Sequence, residues 1–463
     1  MRDPTIELVS QELDYIVSNL CDDPNVVGAS LGVIRDQHLV WSCGYGFANK
    51  DTESRPDENT IFRIASVTKT FTATALFQLR DAGMINLDDP LTNYIDEFSA
   101  ATARQGTIED VTIRRLLCHH SGLICEPTTH DPYWETLRTP TIEEILESLN
   151  RTEVIVEPDK HFKYSNLGFA LLGEVIARVS GQKYEEYVKN KILIPMDMTS
   201  TFFDVDETNN MPHAIGYETN TASNQLSVAP TPHMKGISAA GQLYSTVSDL
   251  TKWISLQLRT ENLQSDATQI LAETSIREMH RPVFLEPDWS TGYGLPWISS
   301  RMGNQILIGH TGYLFGYRAD VSFNPTNKLG LIALFNTSTL PPIRKSIYQI
   351  LLSSVTSKSV TTSPTNSSKI PKKLEDYLGQ YNSSLGLTVS VDYTRSNLEC
   401  SIIVGTALGF APGIIRETGE RDIFVSTEGR WIGETVKFVR SASNIISGFE
   451  LGPFRFYKVP SVS

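Results

Sequence analysis

The sequence predicts an α/β (α+β) sandwich, an antiparallel central sheet flanked by helices, followed by a small all-β barrel. Three observations carry this prediction. Strand-like runs lie near the start (VVGASLGVIRD and HLVWSCGYGFAN) and return late (QILIGHTG, RADVSFNP and KLGLIALFNTS), with helical apolar spacing between them. Residues 356–373, TSKSVTTSPTNSSKIPKK, are polar and almost without apolar bulk, as a linker would be. Beyond them LEDYLGQYNSS, LTVSVDY, LECSIIVG, RDIFVST, GETVKFVR and ISGFELGPFRFYKV alternate apolar and polar residues between turn signals, a pattern of six or more short strands. The expected division is therefore 1–355, a linker at 356–373, and 374–463.

Within the first part, Ile6, Val9, Leu13, Ile16, Val17 and Leu20 mark an amphipathic helix. Asp36-Gln37 is placed to turn between the first two strands. A helix opened by Ser66 carries Phe71, Ala73, Leu76, Phe77 and Leu79 at roughly helical spacing and stops at Gly83. Residues 112–118 and 142–149 are short helices. Residues 167–179 form a strongly apolar helix stopped at Gly181, and 247–258 a helix with Thr246 or Ser248 as its cap. A last helix covers residues 342–353.

The chain's 463 residues can bury a large core, and its 40% hydrophobic and 20% charged residues are ordinary for a globular protein. A net charge of −13 argues against a nucleic-acid surface. Acidic residues interrupt the apolar runs of the first 20 residues, so they do not read as a signal peptide, and no stretch has the roughly 18 unbroken apolar residues of a membrane span. Cys21, Cys43, Cys118, Cys125 and Cys400 are few, scattered and odd in number, which fits reduced thiols and a cytoplasmic location.

The chemistry centres on Ser66-Val67-Thr68-Lys69, an S-x-x-K tetrad at a helix start. Residues i and i+3 share a helix face, so the Lys69 ammonium can reach the Ser66 hydroxyl. The helix N-terminus supplies N–H groups and positive potential for a developing oxyanion. The tetrad recurs at Ser180-Gly181-Gln182-Lys183, after a helix end and with no apolar helix behind it, so partners must decide between them. On its own Ser66 would read as a helix cap, Tyr164 as a loop aromatic, Asn166 as the cap of the next helix, and His310 as a strand-end histidine. His119 and His120 have no Cys, Asp or Glu at metal-ligand spacing, and Glu126 and Asp131 bear no periodic relation to them.

Taken in order, Ser66-x-x-Lys69, Leu116-Leu117-Cys118-His119-His120-Ser121-Gly122-Leu123, Tyr164-Ser165-Asn166, Ala240-Gly241-Gln242-Leu243-Tyr244-Ser245-Thr246 and His310-Thr311-Gly312 resemble the serine β-lactamase and penicillin-binding-protein family. The likeness is to its class C-like branch of esterases, D-aminopeptidases and acyltransferases, and covers roughly residues 25–352. The resemblance implies a β-lactamase/transpeptidase-like fold, an acyl–enzyme on Ser66, and an oxyanion hole from the amides of Ser66 and Tyr313. Lys69 and Tyr164 would manage the proton: desolvation pushes a lysine's pKa down, and a neighbouring cation does the same for a phenol. Which of the two is the working base the residues leave open. Asn166 would hold Lys69 and donate to a substrate carbonyl, and Gly312 would let substrate approach the strand edge. Tyr377-Leu378-Gly379-Gln380-Tyr381 is similar to the opening of the lipocalin-like barrel carried by several members, a domain that shapes or covers their cleft.

Two departures from the family pattern bear on function. His310 stands where antibiotic-binding relatives place a lysine, and a mostly neutral histidine suits an acyl group without a carboxylate. Pro158-Asp159-Lys160 stands where many relatives have Pro-Gly. The resulting expectation is a serine hydrolase of an ester, lactone or amide, needing no metal or organic cofactor, with a small-molecule acyl substrate as its partner and no nucleic acid or membrane span. An acyltransferase or cyclising thioesterase would use the same residues, and a catalytically silent self-assembling scaffold is a third reading; oligomeric state is left open. The aromatic loops at 125–140 and 280–297 (Tyr133, Trp134, Phe284, Trp289, Tyr293, Trp297) point to a bulky or aromatic group in the cleft.

Overall fold

The computed structural model describes residues 4–459, apart from 24, 130–135, 206–210, 221–224, 260–269, 339–340, 342, 357–370, 384–387, 395–396, 405–412, 428–430 and 453. Its centre is an eight-stranded antiparallel sheet assembled from both ends of the main body. In chain order its strands are β1 (Gly28–Arg35), β2 (His38–Gly46), β3 (Phe284–Leu285), β4 (Thr291–Tyr293), β5 (Ile298–Met302), β6 (Gln305–Leu314), β7 (Tyr317–Asn324) and β8 (Leu329–Phe335), arranged β2-β1-β8-β7-β6-β5-β4-β3. The early hairpin meets the late strands where Leu31 pairs with Ala333 and Val33 with Leu331. Asp36 takes the left-handed conformation at φ 57, as a two-residue hairpin turn requires.

Alternation along the strands feeds two cores. Leu31, Val33, Leu331 and Ala333 face α1 (Pro4–Cys21) and the last helix of the body (Ile343–Thr356), packing with Val9, Leu13, Ile343 and Ile347. Ile34, Ile332, Leu334 and Val321 face the other way, into a helical layer built on α2 (Thr68–Asp81), α3 (Asn166–Ser180) and α4 (Val247–Gln257). There Phe71 stacks on the fully buried Trp253 with ring centroids 3.8 Å apart, and the Trp253 indole donates to Thr70 Oγ1. Sandwiching a sheet between helices on both faces explains why β1 and β8 are nearly continuous apolar runs, and why β7 is buried along its whole length although Arg318, Asp320 and Ser322 interrupt it.

The caps refine the sequence reading. Thr246 alone caps α4, accepting from the Asp249 amide. Ser165, not Asn166, caps α3 by accepting from Gly168 N, and Gly181 closes it at φ 68. The second S-x-x-K therefore lies across a helix end. The helix expected to open at Ser66 begins at Thr68, with Ser66 in a preceding 3₁₀ turn, Ala65–Val67, and Ala65 at φ 45.

Beyond the main body, eight strands from Gly379–Ser383 to Phe454–Lys458 pair in sequence order and close, first to last, into a barrel. The strand Gly413–Glu417 escaped the sequence reading. The barrel interior is filled by side chains: Tyr381, Phe438, Phe449 and Phe456 are buried, and Phe449 lies 4.6 Å from Phe456, ring to ring. The Tyr381 hydroxyl donates to the Tyr377 carbonyl, tying up the Y-x-G-x-Y opening. Most of the expected linker lies outside the described residues. No described helix is long and apolar enough to cross a membrane, and Cys21, Cys43 and Cys118 carry free thiols.

One half-buried histidine, its ring set among aromatic side chains, makes the fold sensitive to acid. His280 packs against Trp297 and Phe323, and burial pushes its imidazole down to about 3 from the ordinary 6.5. Below about pH 6.5 the unfolded chain binds a proton that the folded chain refuses until about pH 3, so stability should fall as pH drops through that window. In urea unfolding at pH 7 and pH 5, the drop in midpoint should be smaller for His280→Leu than for the wild type.

Candidate active site

The Ser66 hydroxyl lies where the 3₁₀ turn feeds α2, and two groups reach it. Tyr164 Oη donates to Ser66 Oγ at 2.8 Å and Lys69 Nζ donates at 3.2 Å. Ser66 and Tyr164 are half-buried, whereas Lys69 is fully buried. Lys69 Nζ also donates to Asn166 Oδ1 at 2.8 Å and to the Ala240 carbonyl at 2.6 Å. An ammonium has three N–H donors and no lone pair, so three acceptors match its geometry. The Tyr164 and Phe169 rings lie 4.9 and 5.3 Å from Nζ and add cation–π attraction. Of the residues singled out from sequence, Ser66, Lys69, Tyr164 and Asn166 thus form one hydrogen-bonded cluster.

Several elements hold the cluster in register. The Ala239-Ala240-Gly241 segment accepts from α2 twice, Lys69 at Ala240 and Thr72 Oγ1 at Ala239, while the Leu243 amide donates to Thr68 Oγ1. His119 stacks on Tyr164 with centroids 4.2 Å apart, and its Nδ1 accepts from the Ser165 amide, which puts the ring proton on Nε2. The departure at Asp159 leaves the loop shape that glycine would allow. Asp159 itself takes φ 68, and Arg115 holds its carboxylate through Nε at 2.9 Å and Nη2 at 2.5 Å.

Glu126 is the residue that sequence reasoning set aside. It is buried, and its Oε1 accepts from Asn166 Nδ2 at 2.7 Å. That bond turns the Asn166 carbonyl oxygen toward Lys69, giving a chain Glu126–Asn166–Lys69–Ser66. No local pattern could reveal it, because Glu126 lies 40 residues from Asn166 in a loop.

β6 outruns β5, whose pairing ends at Ile298↔Gly309, so from His310 onward β6 has β7 on one side only. The two-residue turn Phe315-Gly316, with φ 32 and 74, makes Leu314↔Tyr317 the closing pair. The alternation of hydrogen-bonded and non-bonded pairs then points the Tyr313 amide away from β7. The Tyr313 phenol donates to Glu218 Oε1 at 3.2 Å, and burial holds the Glu218 carboxyl up at about 7. Gly312 has a steric reason within the protein itself. A Cβ there would sit 2.1 Å from the Ile64 carbonyl oxygen, so glycine is what lets the turn before Ser66 lie against β6.

His310 is 3% exposed, and burial, with the Lys69 charge second, pushes its imidazole down to about 3. It is neutral at pH 7. Nδ1 faces the Thr311 carbonyl oxygen at 2.7 Å and so carries the proton, leaving Nε2 a buried acceptor without a hydrogen-bond partner among the described residues. The aromatic loops divide. Phe284 stacks on His120 at 3.8 Å and Tyr293 on Phe162 at 4.0 Å, beside the Tyr164 loop, and Trp289 is exposed. Trp297 is core and lines no cleft, and Tyr133 and Trp134 lie outside the described residues. No group of three or more potential metal ligands occurs among the described residues.

Replacing Glu126 by Leu removes the acceptor that orients Asn166. The rate at which Ser66 reacts with a serine-directed phosphonate should fall about 10-fold, the worth of one hydrogen bond to a charged group. Intact-mass spectrometry over time checks this, with Ser66→Ala as the blank.

Comparison with known proteins places this geometry in a family. Residues 13–354 match the family described as Beta-lactamase. The chain is 32% identical over 341 residues to Beta-lactamase-like protein 2 of Dictyostelium discoideum, covering 72% of this chain and 60% of that protein. It therefore spans about 60% of the length of that curated relative. Among solved structures it superposes on the octameric penicillin-binding protein homologue from Pyrococcus abyssi with a TM-score of 0.66 at 25% identity, covering 97% of this chain and 100% of that one. A D-stereospecific amidohydrolase from Streptomyces sp. shares the fold, with a TM-score of 0.60 at 23% identity over 75% of this chain and 99% of that one. From the sheet, the helical layer and the matched residues together, the chain belongs to the beta-lactamase family and has the β-lactamase/transpeptidase fold.

Proposed function

We propose that the protein is a serine hydrolase that forms an acyl–enzyme on Ser66, acting on an ester, lactone or amide whose acyl side carries no carboxylate. The observation that carries the reading is the placement of Ser66 Oγ between Tyr164 Oη and Lys69 Nζ. Lys69, surrounded by three acceptors, acts as the fixed positive charge. Tyr164, as the phenolate, takes the Ser66 proton as Oγ attacks the carbonyl carbon, and returns it to the leaving alcohol or amine. The tetrahedral oxyanion lies between the Ser66 and Tyr313 amides, at the end of α2 where the helix dipole is positive. Water attacks the acyl–enzyme in the second step, losing its proton to Tyr164, which returns it to Ser66 Oγ as the Oγ–acyl bond breaks; an alcohol or amine in place of water would make the same site an acyltransferase.

His310 bears on the choice of substrate. A neutral ring with Nε2 as a buried acceptor offers nothing to a carboxylate and suits a donor such as an amide N–H or a hydroxyl. The stacked Phe162–Tyr293 and His120–Phe284 pairs beside the Tyr164 loop fit a bulky or aromatic group. The division into a catalytic domain at 1–355 and a lipocalin-like domain at 374–463 belongs to the same proposal, as does a cytoplasmic location. Its support is the closed up-and-down topology of the barrel and the free thiols.

Intact-mass spectrometry on wild type and Ser66→Ala tests the reading against aryl esters, a β-lactam, D-amino-acid amides and acyl thioesters. An acyl adduct or turnover that vanishes in the variant is the expected result; adducts that persist in it would place the nucleophile elsewhere. Tyr164→Phe should lower the acylation rate by about 100-fold or more, the range for removing a general base. His310→Lys should raise kcat/KM for an ester with a terminal carboxylate on its acyl chain about 10-fold relative to the uncharged ester. An unchanged ratio would show that position 310 does not face the acyl group.

A further inference from the structure

The residue before Tyr164 is a lysine, and its partner comes from the barrel. Lys163 is fully buried, with Nζ 2.5 Å from Glu434 Oε1 and 5.8 Å from the centroid of the Trp431 ring. The same oxygen of Glu434 accepts from the backbone N–H of Cys125 at 3.3 Å. Cys125 immediately precedes Glu126, and its carbonyl accepts from the amides of Asn166 and Leu167 at 2.8 and 3.1 Å. One carboxylate oxygen of the barrel therefore joins the two segments that carry Tyr164 on one side and Glu126, the anchor of Asn166, on the other.

The turn that delivers Glu434 is shaped for this approach. Gly433 has φ 80, and a Cβ on it would meet Val156 Cγ2 at 2.8 Å, so the turn lies flush against the main body only with glycine there. Trp431 is fully buried beside it. A buried lysine is tolerated when it is paired, and a buried pair loses most when one partner goes. The barrel interior is filled by its own aromatic side chains, so its contribution to the site lies in this outer turn.

We propose that Glu434 is a positioning residue for the Ser66 centre: through Lys163 and the Cys125 amide the barrel sets where Tyr164 and Asn166 stand relative to Ser66 and Lys69. The proposal rests on the acyl–enzyme reading for its catalytic consequence, and its structural half is testable without any substrate.

The test uses the full chain with Glu434→Gln, Lys163→Met and the reversed pair Lys163→Glu/Glu434→Lys. Hydrogen–deuterium exchange followed by mass spectrometry should show the segments 119–126 and 157–167 exchanging about 10-fold faster in both single variants, with the barrel strands Ile446–Leu451 and Phe454–Lys458 unchanged. Lys163→Met guards against a barrel that fails to fold, since it leaves every barrel residue intact. On an ester that the wild type turns over, kcat should fall about 10-fold with KM within about twofold in both single variants, and the reversed pair should recover only part of the loss, because a lysine at 434 cannot accept from the Cys125 amide. Exchange in both segments equal to wild type in Glu434→Gln and Lys163→Met would overturn the proposal, as would single variants with wild-type kcat. A wild type that never acylates would sink the functional reading, while the exchange data would still decide the coupling.

Discussion

A lysine ammonium buried without solvent is the constraint on which the rest of this structure depends. Burying that charge is tolerable only if its donors are met, and they are met from three separate parts of the chain: the Ser66 turn, the first residue of α3 and the Ala240 carbonyl. Each acceptor has its own support. The Ser66 turn needs Gly312 so that β6 can pass beneath it, Asn166 needs Glu126 to fix its amide, and the Ala239-Ala240 segment is tied to α2 by Thr72 as well. The positive charge thus organises the helical layer around one point, and that point lies against the only stretch of β6 that β5 leaves uncovered.

Much of this was legible in the sequence because it is local. Ser66 and Lys69 are three residues apart at the start of a helix, and the apolar pattern of α2 announces that helix. The Tyr164-Ser165-Asn166 element could be found as a short motif, although its spacing could not show that Ser165 takes the cap and releases Asn166 for Lys69. The late strands were readable as members of a central sheet: Leu329–Phe335 is a continuous apolar run, and Tyr317–Asn324 alternates apolar and polar residues.

What stayed hidden is tertiary. Glu126 and Glu434 are single carboxylates in irregular segments, and nothing periodic separates them from the many acidic residues that only face solvent. Gly312 reads in the sequence as room for substrate, and the sequence could not show that it also makes room for the neighbouring turn. Trp297 belonged to an aromatic-rich loop by composition but packs into the core against Phe323, as large indoles usually do. The strand Gly413–Glu417 offers two isoleucines and then charge, too little alternation to declare itself. Asp159 shows the opposite case: the residue that stands in place of glycine takes a left-handed conformation itself, and Arg115 holds its side chain.

The pairing of β1 with β8 has a consequence for how the chain is made. Residue 31 finds its partner at residue 333, so the first strand to leave the ribosome must wait, edge unsatisfied, while about 300 further residues are synthesised, on the order of 15–60 seconds. During that interval α1 and the early hairpin expose the apolar faces that will later pack on Ile343 and Ile347. The helical layer around Lys69 draws on residues up to 257 and can begin to assemble sooner, so the Ser66–Lys69 cluster gathers before the sheet that backs it is complete. A nascent chain of this kind is a natural client for factors that shield strand edges until the last third of the body arrives.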